Sequence, residues 1–288
     1  MLLFANSLSL QLIYLFSLSH SLLHHLTTKQ KYYYNINDFA LNPTLDATYT
    51  LLDEVIGDLA TAMEGLPPAT LHLGGDEVIY GCWANDSSIV DWMAVNGTQY
   101  GIAPGDFDAL LSYFVSKAQA LAANHGFNRP MQWEEVFKAG CDVSANTIYQ
   151  VWTGAEYVGE CTAANYAVVA SPSSYWYLDH ADNTASVMYD YDPSADLSSA
   201  QQALLLGGEV NMWGEHVDAH NHDAITWPRA SAVAERLWSS SQVLEHLHLM
   251  HDKLLVQCLS VFPNQIDEAK TRGHKRLLPL LLPLYSFM

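Results

Sequence analysis

Two adjacent carboxylic acids, Asp76 and Glu77, follow a short apolar run and two glycines. The run at residues 70–73 is typical of a buried strand, and Gly74 and Gly75 let the backbone turn or approach a ligand closely. Beyond the strand end the strict alternation of side chains relaxes, so both acids can face one cleft. Like charges this close resist ionising together, which raises one carboxyl pKa and leaves a proton donor beside an anion. Such a pair can cleave an acid-labile bond, although acids after a strand are also often a solvated turn or a helix cap.

The elements that must position these acids alternate along the chain between strand-like and helix-like segments. Apolar runs predict strands at residues 70–73, 131–133, 147–152, 167–170 and 203–207. Helical patterns predict helices at 45–63, 107–124, 230–238 and 243–259, and residues 155–164 are expected to form a crossover. Five strands separated by helical or loop crossovers favour a parallel sheet. In an α/β fold of the (β/α)8 barrel type, the active site lies at the carboxyl ends of such strands.

Acidic and aromatic residues stand at or just after every predicted strand end. Taken singly, each of them is more often a packed core ring or a surface acid than a ligand contact. Their recurrence at five consecutive strand ends indicates one shared site. The candidates, in chain order, are Asp76 and Glu77, Trp133 with Glu134, Trp152, Tyr177 with Asp179, and Trp213 with Glu215.

Composition restricts the class of protein. At 288 residues and 50% hydrophobic content, the chain can bury a sizeable core in one large domain or two smaller ones. Its formal net charge of −19 disfavours nucleic acid and anionic membrane surfaces as partners. The four cysteines form no CxxC pair, which argues against a zinc site, and no metal or other cofactor is expected. Sequons beginning at Asn85 and Asn96 would accept glycans if the chain is secreted.

The two ends of the chain differ from its middle. Residues 1–28 contain an apolar stretch that is similar to a signal-peptide core but lacks preceding basic residues and a clear cleavage site. We interpret this part as a signal-like or non-native segment, and it is too broken by Ser and His to predict a membrane span. Residues 29–262 form the predicted catalytic domain, and 263–288, rich in Leu and Pro, an atypical tail.

Between about residues 42 and 259 the sequence resembles the family-20 glycoside hydrolases, the β-N-acetylhexosaminidases. The resemblance rests on several segments that occur in the family's order, so a chance match is improbable. They are His72–Glu77 as the catalytic signature, Gln132–Phe137, Val151–Trp152, Trp176–Asp179, Trp213–Glu215 and Trp227–Ala230.

The resemblance implies a substrate-assisted retaining mechanism. Glu77 would protonate the glycosidic oxygen and later activate water. Asp76 would orient the 2-acetamido group of the substrate, whose carbonyl oxygen attacks the anomeric carbon, and Tyr177 would donate a hydrogen bond to that oxygen. The implied activity is exo-hydrolysis of terminal β-linked GlcNAc or GalNAc from glycans, glycolipids or chitin oligosaccharides.

The resemblance also assigns the walls of the sugar pocket. Trp133, Trp152 and Trp213 would enclose the terminal sugar, with Trp213 stacked on its face. Asp179 and Glu215 would hold sugar hydroxyls. Glu134 and Glu135 would be structural or would support the residues that contact the sugar. By the same resemblance, the protein would be lysosomal, vacuolar or secreted, and a homodimer would fit both the family and an exposed sheet edge.

The chain departs from the family upstream of the signature. In the family the signature lies on the fourth barrel strand, so this chain is expected to retain strands four to eight and to lack strands one to three. Such an arc would expose an edge strand, and the family's sugar-clamping Arg on the first strand has no counterpart. An alternative therefore stays open, namely a catalytically impaired fragment or sugar-binding remnant. A chitinase-like barrel is disfavoured because Asp76 and Glu77 are adjacent.

Overall fold

The computed structural model describes residues 2–5, 12–14, 40–63 and 70–239, which are organised around one seven-stranded sheet. The order across the sheet is first, seventh, sixth, fifth, fourth, third and second strand. The first strand is antiparallel to the seventh, and the others are parallel. The strands are β1 (Leu2–Ala5), β2 (Leu12–Tyr14), β3 (Thr70–His72), β4 (Met131–Trp133), β5 (Ile148–Val151), β6 (Ala167–Ala170) and β7 (Leu205–Val210).

Helices and loops carry the chain from each of the strands β3 to β6 to the next one. Among the described residues, no helix is long and apolar enough to cross a membrane. The helices are α1 (Asp46–Ala62), α2 (Tyr80–Ala84), α3 (Ser87–Asn96), α4 (Phe107–Asn124), α5 (Glu135–Lys138), α6 (Glu156–Ala163), α7 (Ser173–Trp176), α8 (Ala185–Asp190), α9 (Ser199–Gln202), α10 (His222–Thr226) and α11 (Arg229–Trp238).

The longest of these helices, α4, returns the chain from the carboxyl end of β3 to the start of β4. The Asp106 side chain caps it by accepting a hydrogen bond from the Ala109 N–H at 3.0 Å. Leu110 and Val115 lie on its buried face. The chain turns after the helix at Gly126, whose φ of 91° favours glycine. The helix has the bounds that the sequence predicts.

The two faces of the parallel strands are both buried. Tyr149 and Val151 of β5 point into the helical layer, where they belong to the main hydrophobic core. Ile148, on the opposite face, packs with Met131 and Val169 of the neighbouring strands inside the curl of the sheet. Burial on both sides explains why these strands are near-continuous apolar runs. The five strands β3 to β7 thus form a curled half-barrel, which confirms the expected α/β fold with an incomplete (β/α)8 barrel.

Two differences from the sequence-based expectations concern the sheet. The arc of five strands does not itself end the sheet, because β2 pairs with β3 and β1 pairs with β7, so the edges of the described sheet are β1 and β2. The two added strands are short and lie far along the chain from the strands with which they pair, so no local sequence pattern predicts the pairing. The last strand spans Leu205–Val210 rather than 203–207. The predicted helix at 243–259, the tail and the domain boundaries at 28 and 262 lie outside the described residues.

Candidate active site

The loop after β3 carries the acidic pair and is fixed to β4 by its backbone. The Trp133 N–H donates to the Gly74 carbonyl at 3.1 Å, and the Leu73 N–H donates to the Met131 carbonyl at 2.8 Å. Gly75 has a φ of 96°, and a Cβ placed there would lie 2.4 Å from Val136 Cγ2. Only glycine therefore lets the loop lie this close to α5.

The two acids leave this loop in different environments. Asp76 is half-buried, whereas Glu77 is exposed. Glu77 also has a φ of 48°, a left-handed conformation that costs a non-glycine residue on the order of 1 kcal/mol or more. Such a conformation persists when the surrounding structure imposes it, and at functional sites it often aims a side chain.

Glu134, directly after β4, holds the turn that follows β5. It is fully buried, and its carboxylate accepts hydrogen bonds from the Trp152 N–H and the Thr153 N–H, each at 3.0 Å. The Thr153 hydroxyl donates to the same carboxylate. These contacts orient the chain segment that presents the Trp152 ring, in agreement with the structural role expected for Glu134.

Glu135 occupies a different position although it is the next residue. Its Oε2 accepts a hydrogen bond from the Trp152 indole Nε1–H at 2.9 Å, and its Oε1 lies 3.4 Å from the donating Glu77 backbone nitrogen. Burial is the main cause that raises the pKa of Glu135 to about 7, and the neighbouring charges of Glu134 and Asp76 raise it further, while the Trp152 hydrogen bond opposes the shift. The carboxyl whose pKa burial raises here belongs to Glu135, directly beside the pair at 76 and 77 for which the sequence analysis predicts a proton donor.

Four aromatic side chains form a continuous wall beside the acidic loop. The Trp133 ring lies 6.3 Å from that of Trp152 and 6.4 Å from that of Trp213, measured between centroids. Trp152 in turn stacks on Tyr177 at 6.1 Å with an interplanar angle of 19°. Trp133 and Tyr177 are almost fully buried, whereas Trp152 and Trp213 are half-buried and so keep part of their faces accessible. This cluster, the aromatic wall, is the kind of surface on which sugar rings pack.

The Tyr177 hydroxyl and the neighbouring amide of Asn211 add polar groups to the wall. Burial raises the pKa of Tyr177 above its usual range, so the phenol keeps its proton and can donate a hydrogen bond. Backbone hydrogen bonds fix the register, since the Leu178 N–H donates to the Asn211 carbonyl at 2.7 Å. Asn211 is 4% exposed, and its side-chain amide lies beside the Tyr177 hydroxyl. The sequence analysis missed Asn211, whose only signal is its two-residue spacing from Trp213.

The segment after Tyr177 is held in place by an arginine. The guanidinium of Arg229 donates to the carbonyls of His180 at 3.0 Å and Asn183 at 3.1 Å, and also to that of Leu178. Asp179 lies within this segment with its side chain only 9% exposed. Its Oδ1 has no hydrogen-bond partner among residues 40–63 and 70–239. A buried carboxylate oxygen without a donor is costly, which fits a contact completed by a bound hydroxyl group.

Glu215 is the last of the predicted sugar-binding residues along the chain. It is exposed, in the segment after β7, and it makes no hydrogen bond to another described residue. The structure therefore brings together Asp76, Glu77, Trp133, Trp152, Tyr177 and Trp213, with Asp179 buried beside the end of this group. Two surface hollows of about 350 and about 460 Å³ lie beside α4, and none of the residues of this site lines them. No cluster of three or more metal-ligating side chains occurs in the described ranges.

Comparison with known proteins identifies the family. Residues 17–241 match the catalytic domain of glycosyl hydrolase family 20. The chain belongs to this family. Family-20 relatives include beta-hexosaminidase 3 of Arabidopsis thaliana, 34% identical over 69% of this chain and 36% of that protein. The beta subunit of Homo sapiens beta-hexosaminidase is 36% identical over 70% of this chain and 36% of its own length.

Solved family-20 structures agree with the fold. The exo-β-N-acetylglucosaminidase of Vibrio harveyi, solved in complex with N-acetylglucosamine, superposes with a TM-score of 0.64 at 25% identity, covering 77% of this chain and 36% of that one. The Flavobacterium johnsoniae chitobiase gives a TM-score of 0.60 at 28% identity, covering 71% and 30%. The chain spans about a third of the length of the relatives that it matches.

Proposed function

We propose that this chain carries the hydrolytic site of an exo-β-N-acetylhexosaminidase, which removes terminal β-linked GlcNAc or GalNAc from glycans, glycolipids or chitin oligosaccharides. The observation that carries the proposal is the acidic loop with Asp76 and Glu77 beside the aromatic wall. Beta-hexosaminidases among the relatives support the activity class. The N-acetylglucosamine bound to the Vibrio harveyi enzyme supports the sugar class.

The proposed reaction retains the anomeric configuration in two steps. Glu77 donates its proton to the glycosidic oxygen as the bond from that oxygen to the anomeric carbon breaks, while the acetamido carbonyl oxygen of the substrate attacks the same carbon. Asp76, as an anion, orients the acetamido group and balances the positive charge that develops on it. The Glu77 carboxylate then takes a proton from water, whose oxygen attacks the anomeric carbon and releases the acetamido oxygen.

The remaining site residues bind and orient the sugar in this proposal. The neutral Tyr177 phenol donates a hydrogen bond to the acetamido oxygen. The indoles of Trp133, Trp152 and Trp213 enclose the ring and exclude water. Asp179 and Glu215 accept hydrogen bonds from sugar hydroxyls; for Asp179 the support is its unpartnered buried oxygen, and for Glu215 it is the resemblance alone.

The test is hydrolysis of a chromogenic β-N-acetylglucosaminide by the purified chain. Glu77→Gln keeps the shape of the side chain and removes its acidic proton, so the rate should fall by about 10²-fold or more. Glu160→Gln, at an exposed position on α6, is the matched control and should leave the rate unchanged. Hydrolysis that survives in the Glu77 variant would overturn the assignment of the general acid.

The second candidate is a sugar-binding remnant without turnover. It is the alternative that the sequence analysis leaves open, and the chain spans about a third of its relatives' length. N-acetylglucosamine that changes the tryptophan fluorescence of the wild-type chain, without any hydrolysis of the chromogenic substrate, would support this candidate over the enzyme.

We also propose a lysosomal, vacuolar or secreted location and a homodimeric assembly. The location is supported by the two sequons, of which Asn85 is exposed and Asn96 half-buried. Treatment of the protein from its native source with an N-glycosidase should then reduce its mass. The assembly rests on the family resemblance, and light scattering of the purified chain measures it directly.

A further inference from the structure

Glu135 accepts hydrogen bonds from the segments that follow β3 and β5. The proposed reaction needs these two segments to keep a fixed position relative to each other. One carboxylate oxygen faces the backbone N–H of Glu77, after β3, and the other accepts from the indole N–H of Trp152, after β5. We infer that Glu135 is a positioning residue that ties the proton-donor loop to the aromatic wall, a role that rests on the proposed function. It touches neither the sugar nor the reacting atoms as the site is assigned above.

The link requires a carboxylate because it must accept from two donors on opposite sides. Each oxygen of an ionised carboxyl accepts hydrogen bonds, whereas a carboxamide offers one acceptor and turns an N–H group toward the other donor. The Glu77 end of the link holds the N–H of a residue with left-handed backbone, at a φ of 48°. The Trp152 end continues into Tyr177 through ring stacking. Glu135 thus contacts the general acid's backbone and orients part of the sugar pocket.

The charges around Glu135 make the link sensitive to pH. It faces Glu134 from its own segment, and Asp76 and Glu77 from the loop after β3; the segment after β5 contributes the neutral Trp152 donor. Lys138, one turn further along α5, points elsewhere, with its ammonium group 3.2 Å from Thr153 Oγ1 and over the ring of Tyr157 at 4.6 Å.

Burial raises the pKa of Glu135 to about 7, and no cation of residues 40–63 and 70–239 opposes this shift. When the Glu135 carboxyl is protonated, one of its two oxygens carries the proton and no longer accepts a hydrogen bond as a carboxylate oxygen does. The two hydrogen bonds that Glu135 accepts should therefore strengthen as the pH rises through about 7, although ionising the part-buried carboxyl lowers the stability of the fold as a whole.

The first arm of the test follows the Trp152 indole N–H by NMR in the intact chain between about pH 5 and pH 9. Trp152→Phe identifies the signal by its disappearance. In the wild-type chain the signal should shift with a midpoint near 7. Glu135→Gln should abolish that titration, and the control Glu160→Gln should preserve it. A Trp152 signal that does not titrate, or that titrates unchanged in Glu135→Gln, would overturn the inference.

The second arm separates positioning from a general structural role. In Glu135→Gln, kcat should fall about tenfold, the effect of one lost charge-assisted hydrogen bond, while KM changes by less than about threefold. The double variant with Trp152→Phe should lose less than the product of the two single effects, because both remove the same link.

A thermal melt of each variant excludes loss of folding as the cause. Wild-type kcat in a folded Glu135→Gln chain refutes positioning. If the wild-type chain does not hydrolyse the substrate, the proposed function fails, and the NMR arm alone decides whether the link exists.

Discussion

Replacing Glu134 by glutamine changes one fully buried carboxylate into an amide of nearly the same shape. In the wild-type chain one oxygen of this carboxylate accepts a hydrogen bond from the Trp152 N–H at 3.0 Å. The other oxygen accepts from the Thr153 N–H and hydroxyl. The amide oxygen can serve only one of these sides. We expect it to turn toward Thr153, where it keeps two donors, and to leave the amide –NH2 group facing the Trp152 N–H.

The magnitude follows from what that arrangement loses. One hydrogen bond to a charged acceptor is worth about 1.5–3 kcal/mol, and two buried donors are then left facing each other without an acceptor. Relief from burying a charge offsets part of this loss. We therefore expect the free energy of unfolding to fall by about 2–3 kcal/mol, which lowers Tm by roughly 4–12 °C for a domain of this size. Glu134→Ala should cost more, because the donors on both sides lose their acceptor.

The assay is thermal and urea unfolding of the wild-type chain, Glu134→Gln and Glu160→Gln. The last variant replaces an exposed carboxylate on α6 and should stay within about 0.5 kcal/mol of wild type. Equal stabilities of all three chains would refute the reasoning, because the buried carboxylate would then contribute no more than a solvated one. Near-wild-type stability of the alanine variant would refute it more strongly.

Three further perturbations test other parts of the structure. The pKa of Glu135 is raised from 4.5 to about 7, so its contribution to stability is full below pH 4.5 and is lost as the pH rises through about 7. Across that window the free energy of unfolding of the wild-type chain should fall by up to about 3 kcal/mol. This pH dependence should vanish in Glu135→Gln when unfolding is followed at several pH values. In Gly208→Ala the new Cβ would lie 2.2 Å from the buried ring of Trp176, and urea unfolding should detect a loss of about 1–3 kcal/mol, with an unchanged midpoint as the contrary result. Arg229→Lys replaces the guanidinium that donates to Leu178 and other carbonyls around Asp179 by a single ammonium group; KM for the chromogenic substrate should rise by about threefold or more, and a KM equal to that of wild type would separate this segment from sugar binding.

Much of the fold can be predicted from the sequence because the parallel strands and the long helices have strong local signals. The helix Phe107–Asn124 has a capping aspartate, apolar residues at helical spacing and a glycine turn, and each of these acts within a few residues. The strand Met131–Trp133 is buried on both faces; Met131 and Trp133 supply the apolar signal, and the buried Gln132 between them accepts a hydrogen bond from Gln119. The pairing of Leu2–Ala5 with Leu205–Val210 has no such signal, since it joins segments about 200 residues apart that carry no matching pattern.

The candidate site likewise has features that the sequence predicts and features that it does not. Aromatic and acidic residues at strand ends can be read as a group because parallel strands bring their carboxyl ends together. The different environments of Glu134 and Glu135 cannot be read, because the two are identical in type and adjacent in sequence. The path of the chain from β4 into α5 turns one carboxylate into the interior and the other toward Glu77. Asn211 escapes prediction because only the folded chain brings its buried amide beside the Tyr177 hydroxyl.

The aromatic wall supplies the protein with its own optical signal. Trp133, Trp152, Trp213 and Tyr177 lie with neighbouring ring centroids 6.1–6.4 Å apart at fixed angles. Electronic transitions of rings held this close and asymmetrically couple to one another and give strong near-ultraviolet circular dichroism, which disappears when specific packing is lost. The near-ultraviolet spectrum of this chain should therefore report, without any ligand or substrate, whether the aromatic wall has assembled.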